Sequence, residues 1–189
     1  MEVLEALKTR RSIRRFSQRP IEQEKLDEIC SCARFYPSAA NLQSLKFVLL
    51  TDSRVEKVLE HLRWAGYLPD YVMGKEDMPG TLLLILGDNE ICRDHVFSAG
   101  AAANQVMLAA HSLGLATCCL GMGEKPKQAI LDILGLNEER FAMLYAVALG
   151  YSDQQSQAVD QEESCKYSLD DNGNFLVPKR TVTEIFLNV

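Results

Sequence analysis

Cationic charge, paired cysteines, nucleotide-binding glycine signatures and long apolar runs are all scarce in this chain. Each scarcity removes a class of function. Acidic side chains outnumber basic ones, 26 to 20, for a formal charge of -6. That balance argues against general binding to nucleic acid or to an anionic membrane. The longest apolar stretch, Leu82 to Leu86, has the length of a buried strand and falls far short of a membrane span. The first residues carry no secretory pattern, so the expected location is cytoplasmic. Six cysteines are present (Cys30, Cys32, Cys92, Cys118, Cys119 and Cys165), and no two form a CxxC pair. Reduced, mostly buried thiols are expected, in place of structural staples, a redox pair or an iron–sulfur cluster. No GxGxxG opens a βαβ unit and no Walker motif occurs, which counts against a Rossmann dehydrogenase. The three histidines, His61, His95 and His111, are scattered, and no metal site is expected.

What the chain does contain is enough apolar residue, 47% of 189, to build the core of one domain spanning 1–189. Against the acidic background stands Arg10-Arg11-Ser12-Ile13-Arg14-Arg15-Phe16. It follows a short helical segment whose Val3, Leu4 and Leu7 share one face. Guanidinium is a permanently charged, planar fork of donors that matches phosphate oxygens two at a time, and Ser12 adds a neutral donor. In an acidic protein such a local cluster favours a small anionic ligand over a polyanion. A solvated face remains the other reading.

Periodicity organises the rest. Residues 21–35 read as a helix with Ile21, Leu26, Ile29, Cys30 and Ala33 on one stripe. Pro37 breaks it, and Tyr36 to Gln43 follows as a turn rich in small residues. There Asn41 and Gln43 either offer amide donors and acceptors to a ligand or simply cap their own turn. Leu45–Thr51, Thr81–Gly87, Leu115–Leu120 and Phe141–Leu149 read as strands. Val55, Val58, Leu59 and Leu62 read as a helix, Asp94–Leu113 as a long alanine-rich helix, and 126–135 as another. Residues 64–80, broken by glycines and prolines, form an expected lid whose Trp64, Tyr67 and Tyr71 either touch substrate or make dimer contacts. Residues 152–174 are polar, with a turn at Asp170-Asp171-Asn172-Gly173-Asn174. Val182–Val189 reads as a strand or arm.

Taken in order, these pieces resemble the nitroreductase family of FMN flavoproteins. The matching features are Arg10-Arg11-Ser12-x-Arg14-x-Phe16, Pro37-Ser38-x-x-Asn41-x-Gln43, the alanine-rich helix, Gly114-Leu115 through Gly121, Gly150-Tyr151, and Lys179-Arg180. The chain departs from the family at Ser44-Leu45, where Pro-Trp is usual, and at Gly121, where an acidic residue is frequent. The resemblance implies an α+β fold with a central, mainly antiparallel sheet flanked by helices, assembled as an intertwined homodimer. A C-terminal arm from about 152 would wrap the partner subunit.

It further implies FMN as cofactor, with NADH or NADPH as reductant. Arg10, Ser12 and one of Lys179 or Arg180 would hold the phosphate, and Arg11 would belong to the same cofactor-binding stretch. Arg14 and Asn41 would address the pyrimidine end of the ring, the Gly121 and Met122 amides would face flavin N5, and Pro37, Ser38, Gln43 and Leu120 would be further cofactor-binding positions. The implied reaction is ping-pong hydride transfer from NAD(P)H through N5 to a small-molecule acceptor such as a nitroaromatic or quinone. No side chain is assigned as catalytic. The alternative is a flavin-binding protein with another role: reductive dehalogenation, flavin fragmentation or flavin storage.

Overall fold

The computed structural model describes residues 1–161 and 163–187. At its centre lies an antiparallel sheet of β1 (Leu45–Leu50), β2 (Thr81–Asp88), β3 (Ala116–Leu120) and β4 (Phe141–Gly150), in the order β1-β2-β4-β3. Successive side chains on a strand point to opposite faces. Leu82, Leu84 and Leu86 therefore enter one apolar layer, and Leu83 and Ile85 the other. This is why β2 reads as an unbroken apolar run: both of its faces are covered. A bulge where Ile85 and Leu86 meet β4 leaves Leu144 without a partner, so Leu144 and Tyr145 both pack toward the second layer.

The first layer is closed by α3 (Arg54–Leu59) and α5 (Glu124–Leu134) through Val55, Val58, Ile130 and Leu131. The second is closed by α2 (Gln23–Ala33) and α4 (Val96–Ser112). Ala99, Ala102, Ala103 and Ala110 on α4 are all buried, and their small side chains let the helix lie close on the sheet. Phe16 is fully buried, and a Cβ on Gly150 would lie 2.9 Å from its ring. The glycine that ends β4 is a packing requirement.

The N-terminal helix α1 (Val3–Thr9) departs from expectation. Its apolar face, Val3, Leu4 and Leu7, is 50–71% exposed, and only Ala6 is buried. Periodicity identifies an apolar face but not what covers it. The polar segment after Gly150 also holds more structure than its composition suggests. It forms a second small sheet, order β5-β7-β6, from β5 (Ser156–Asp160), β6 (Ser168–Leu169) and β7 (Phe175–Lys179). The turn between β6 and β7 is held by the Asp170 carboxylate, which accepts from the backbone N–H groups of Asn172 and Asn174. Val182–Ile185 is a helical turn, α6, and not a strand. Thr181 and Glu184 form a capping box at its start, satisfying each other's backbone groups. Asn188 and Val189 lie outside the described residues. Among the described residues no helix is long and apolar enough to cross a membrane, and no cluster of metal-ligating side chains occurs.

Candidate functional site

The arginine stretch lies along the outer edge of β3. Ser12 and Thr117 form a parallel bridge, and the Ile13 N–H donates to the Thr117 carbonyl at 2.9 Å. This pairing covers a free strand edge and fixes the direction in which successive side chains leave the loop. Beside it opens a cavity of about 460 Å³, lined by Arg10, Arg11, His111, Thr117, Gln154 and Ser156 among others. That volume suits a small ligand.

Among the described residues neither Arg10 nor Arg11 makes an ion pair. The Arg11 guanidinium folds back onto the end of α1, donating to the carbonyls of Lys8 and Arg10. Burial, and then the neighbouring Arg10 charge, push its pKa below the usual arginine value. Among the described residues the Arg10 side chain makes one long contact, 4.0 Å to the Met107 sulfur. Three buried polar atoms lining the cavity have no partner among the described residues: Arg11 Nε, Thr117 Oγ1 and Ser156 Oγ. An orphaned buried polar group costs about 1–3 kcal/mol. A ligand rich in oxygen would satisfy these atoms, and an anion would relieve the arginine repulsion. Asp170, also on the rim, is committed to its turn, whose N–H groups hold its pKa below the usual carboxylate value.

Arg14 has a different environment from Arg10. It is buried, and its guanidinium lies over the rings of Tyr167 and Phe175, 4.8 and 4.4 Å from their centroids. Its Nε donates to the Trp64 carbonyl at 2.5 Å. Tyr67 packs on Tyr167 and Tyr71 on Phe175, at centroid distances of 5.1 and 5.5 Å. The aromatics of the 64–80 segment thus face the C-terminal sheet of their own chain, with Arg14 as the clasp. Trp64 itself meets Phe16 edge-on at 6.4 Å.

Leu120 is buried at the end of β3, and Gly121-Met122 leads into α5. A Cβ on Gly121 would meet nothing within 4 Å, so space is open beside its backbone. The Pro37–Gln43 turn lies elsewhere. It enters β1, which forms the opposite edge of the sheet from β3. Three strand spacings, roughly 14 Å, separate the two edges. In this turn Ala40, Asn41 and Gln43 all hold left-handed backbone, φ 49–54°. For non-glycine residues this stores strain of the kind that collects at ligand sites, about 1 kcal/mol or more each. The turn is held from within by Ser38 Oγ, which accepts from the Gln43 N–H at 3.1 Å. It is anchored behind by Ser44, whose hydroxyl bonds buried His95 Nδ1 at 3.1 Å. Lys179 and Arg180 are exposed at the far end of β7 and do not line the cavity.

The structure therefore brings Arg10 and Arg11 to one cavity, holds Ser12 beside β3 with Leu120, Gly121 and Met122 at and just past its end, and leaves Asn41 and Gln43 across the sheet. Sequence reasoning did not find His111, Thr117, Gln154 or Ser156 in the cavity, or Tyr167 and Phe175 around Arg14. For the last two a signal existed: isolated rings in an otherwise polar segment. For the others none did, because strand and helix patterns do not tell which hydroxyl faces a void.

An antiparallel sheet between two helical layers, with a cavity lined by two arginines along one edge, defines an α+β protein with a place suited to a small anion. The profile of the nitroreductase family matches residues 7–77 and 76–151, and the chain belongs to that family. It is similar to a provisionally named NADH dehydrogenase/NAD(P)H nitroreductase of Archaeoglobus fulgidus, 28% identical over 92% of this chain and 94% of that one. A second relative is an FMN reductase of the NAD(P)H type from Bacillus subtilis, 26% identical over 75% of this chain and 63% of that protein. A solved structure of a provisionally named nitroreductase from Desulfovibrio desulfuricans, in complex with FMN, superposes with a TM-score of 0.76 at 26% identity. That match covers 100% of this chain and 97% of the other, so it includes the C-terminal sheet beyond the family match.

Proposed function

We propose that this protein is an FMN-dependent NAD(P)H oxidoreductase acting on small acceptors such as nitroaromatics or quinones, as a cytoplasmic homodimer. The observation that carries the reading is the cavity beside β3: two arginines without an ion pair and three buried polar atoms without a hydrogen-bond partner among the described residues, in a chain of this family. The residues present fit the cofactor. Arg10 and Arg11, next to Ser12, would hold its phosphate, with Thr117 and Ser156 as neutral partners for further oxygens. The Gly121 and Met122 amides would stand against the ring edge, where open space lets backbone approach closely. When bound, FMN would supply hydride chemistry at N5, taking electrons from NAD(P)H and passing them to the acceptor.

The strained turn with Asn41 and Gln43 cannot reach the cavity of its own chain across the sheet, so a second copy would bring its turn to this site. The exposed apolar face of α1 supports the same reading, since Val3, Leu4 and Leu7 are left for a partner surface. Arg14 is engaged with the aromatic cluster, and its contribution would be to hold the 64–80 segment and the C-terminal sheet over the site. Lys179 and Arg180 would have to come from a rearranged arm or act in solvent.

The test is the visible absorption spectrum of the purified protein, before and after NADH or NADPH is added without oxygen. A flavin spectrum that bleaches and recovers with a nitroaromatic or quinone is the expected result. A flavin that stays unbleached with both nicotinamides would favour a non-reductase flavin protein. No flavin, even after incubation with FMN, would refute the reading.

A further inference from the structure

The cavity has a titratable member that nothing so far assigns. His111 sits in the last turn of α4 and lines the same cavity as Arg10, Arg11 and Thr117. Its hydrogen bonding fixes its tautomer. The Thr9 hydroxyl carries one hydrogen and donates it to the Glu5 carbonyl at 2.7 Å. Toward His111 Nε2, 2.9 Å away, Thr9 Oγ1 can then only accept. Nε2 is therefore the protonated nitrogen of the neutral ring. Nδ1 makes no hydrogen bond among the described residues, and it becomes a donor only when the ring takes up a second proton.

The charges around this ring are Arg10 and Arg11 in the loop, Glu5 on α1, and Asp170 and Met1 on the cavity rim. Burial first, then Arg10 and Arg11, push the His111 pKa below the usual histidine value, with Glu5 opposing weakly. Without a ligand these surroundings disfavour the charged ring, although a helix C-terminus would favour its cation. A phosphate dianion entering between Arg10 and Arg11 reverses that balance. It cancels the local positive potential and offers an acceptor oxygen to a protonated Nδ1.

We propose that His111 is a third phosphate ligand of the cofactor site, one that engages by taking up a proton when the phosphate binds. This makes His111 a specificity residue for FMN over riboflavin, which lacks the phosphate. The inference rests on the FMN reading above. The sign follows from linkage. If the bound state holds an extra proton, affinity rises as pH falls through the bound-state pKa of His111 and levels off below its free-state pKa. The cofactor phosphate itself protonates near pH 6, which weakens binding in acid. That effect is common to the wild type and to a His111→Gln variant, and it cancels in the ratio of their dissociation constants. Glutamine retains a donor for Thr9 but cannot titrate.

The experiment is an NMR pH titration of the full chain with isotope-labelled histidine: alone, with saturating FMN, and with riboflavin. The chain has three histidines, so the signal missing from His111→Gln identifies His111, while His61 and His95 serve as internal references. FMN should raise the His111 pKa by about one pH unit or more, and riboflavin should leave it in place. The wild-type advantage over His111→Gln in FMN affinity should then grow about tenfold from high to low pH. If the variant does not fold, the wild-type titration with the two ligands still decides the matter. FMN binding with an unmoved His111, or an equal shift with riboflavin, overturns the inference and leaves the flavin reading intact. Failure of FMN to bind overturns both.

Discussion

Replacing Arg14 with lysine separates two roles for this side chain: ligand to the cofactor, or clasp between the 64–80 segment and the C-terminal sheet. The guanidinium lies over two rings and donates to the Trp64 carbonyl. A buried cation–ring contact is worth about 0.5–2 kcal/mol, and a hydrogen bond from a charged donor about 1.5–3 kcal/mol. Lysine keeps the charge and the stem, but a single ammonium cannot cover both rings and the carbonyl together. The expected net loss is about 2 kcal/mol. For a chain of this size that lowers the melting temperature by roughly 4–8 °C. Trp64 is the only tryptophan, so its emission reports the clasp directly and should shift to the red. Thermal melts by circular dichroism, Trp64 fluorescence and FMN titration are measured on the same samples. An unchanged melt and unchanged emission, with FMN affinity collapsing as far as in Arg10→Gln, would refute the clasp and make Arg14 a cofactor contact.

Thr117→Val removes an orphaned buried hydroxyl with almost no change of shape. The ligand-free protein should melt at the same or a slightly higher temperature, while FMN affinity falls about fivefold, the equivalent of roughly 1 kcal/mol. Glu22 should show in the acid limb of stability. The Tyr151 hydroxyl first, then backbone and Arg19 contacts, bring its pKa from 4.5 to about 2. A carboxylate depressed in the folded state stabilises above its unfolded pKa, and that contribution is lost as pH falls from about 4.5 to about 2. Melting temperature against pH should accordingly fall less steeply across that window in Tyr151→Phe than in the wild type, and identical slopes would count against the assignment. Mixing Arg10→Ala and Asn41→Ala subunits tests the shared site. Each variant alone should bind FMN poorly, and random re-pairing should restore about a quarter of the sites, because half the dimers are mixed and each mixed dimer has one intact site. No recovery in a verified mixed dimer would mean that Asn41 serves its own chain or none.

Much of the site was legible where chemistry and local pattern coincide. Four arginines within six residues of an acidic chain point to a small anionic ligand, and two of them line the cavity. The Gly150-Tyr151 pair carries part of the family resemblance, and the close approach of Phe16 to Gly150 supplies a physical reason for the glycine. Other elements were local too, yet went unread. Thr181-x-x-Glu184 is a capping signature, but the alternating apolar residues after it suggested a strand. The capping box won because it satisfies the helix start within four residues, whereas a strand there needs a neighbour. In the 152–174 segment the reverse holds: β5 and β6 have little apolar pattern of their own, and β7 supplies the pairing that makes them strands.

The amino-acid sequence by itself determined that Leu45–Thr51, Thr81–Gly87 and Phe141–Leu149 carry strands, that Asp94–Leu113 carries a long helix, and where the cationic loop lies. Each is set by spacing or composition within one segment, because a period of two or of 3.6 is a property of neighbours in the chain. Only the tertiary structure decided that Arg10 and Arg14, four residues apart, meet opposite environments, one a cavity and the other two aromatic rings. It alone set the strained turn at Asn41 on the far edge of the sheet. Those outcomes depend on strand order and on which surfaces cover which, and residues far apart in sequence, such as Arg14 and Phe175, carry no local mark of each other.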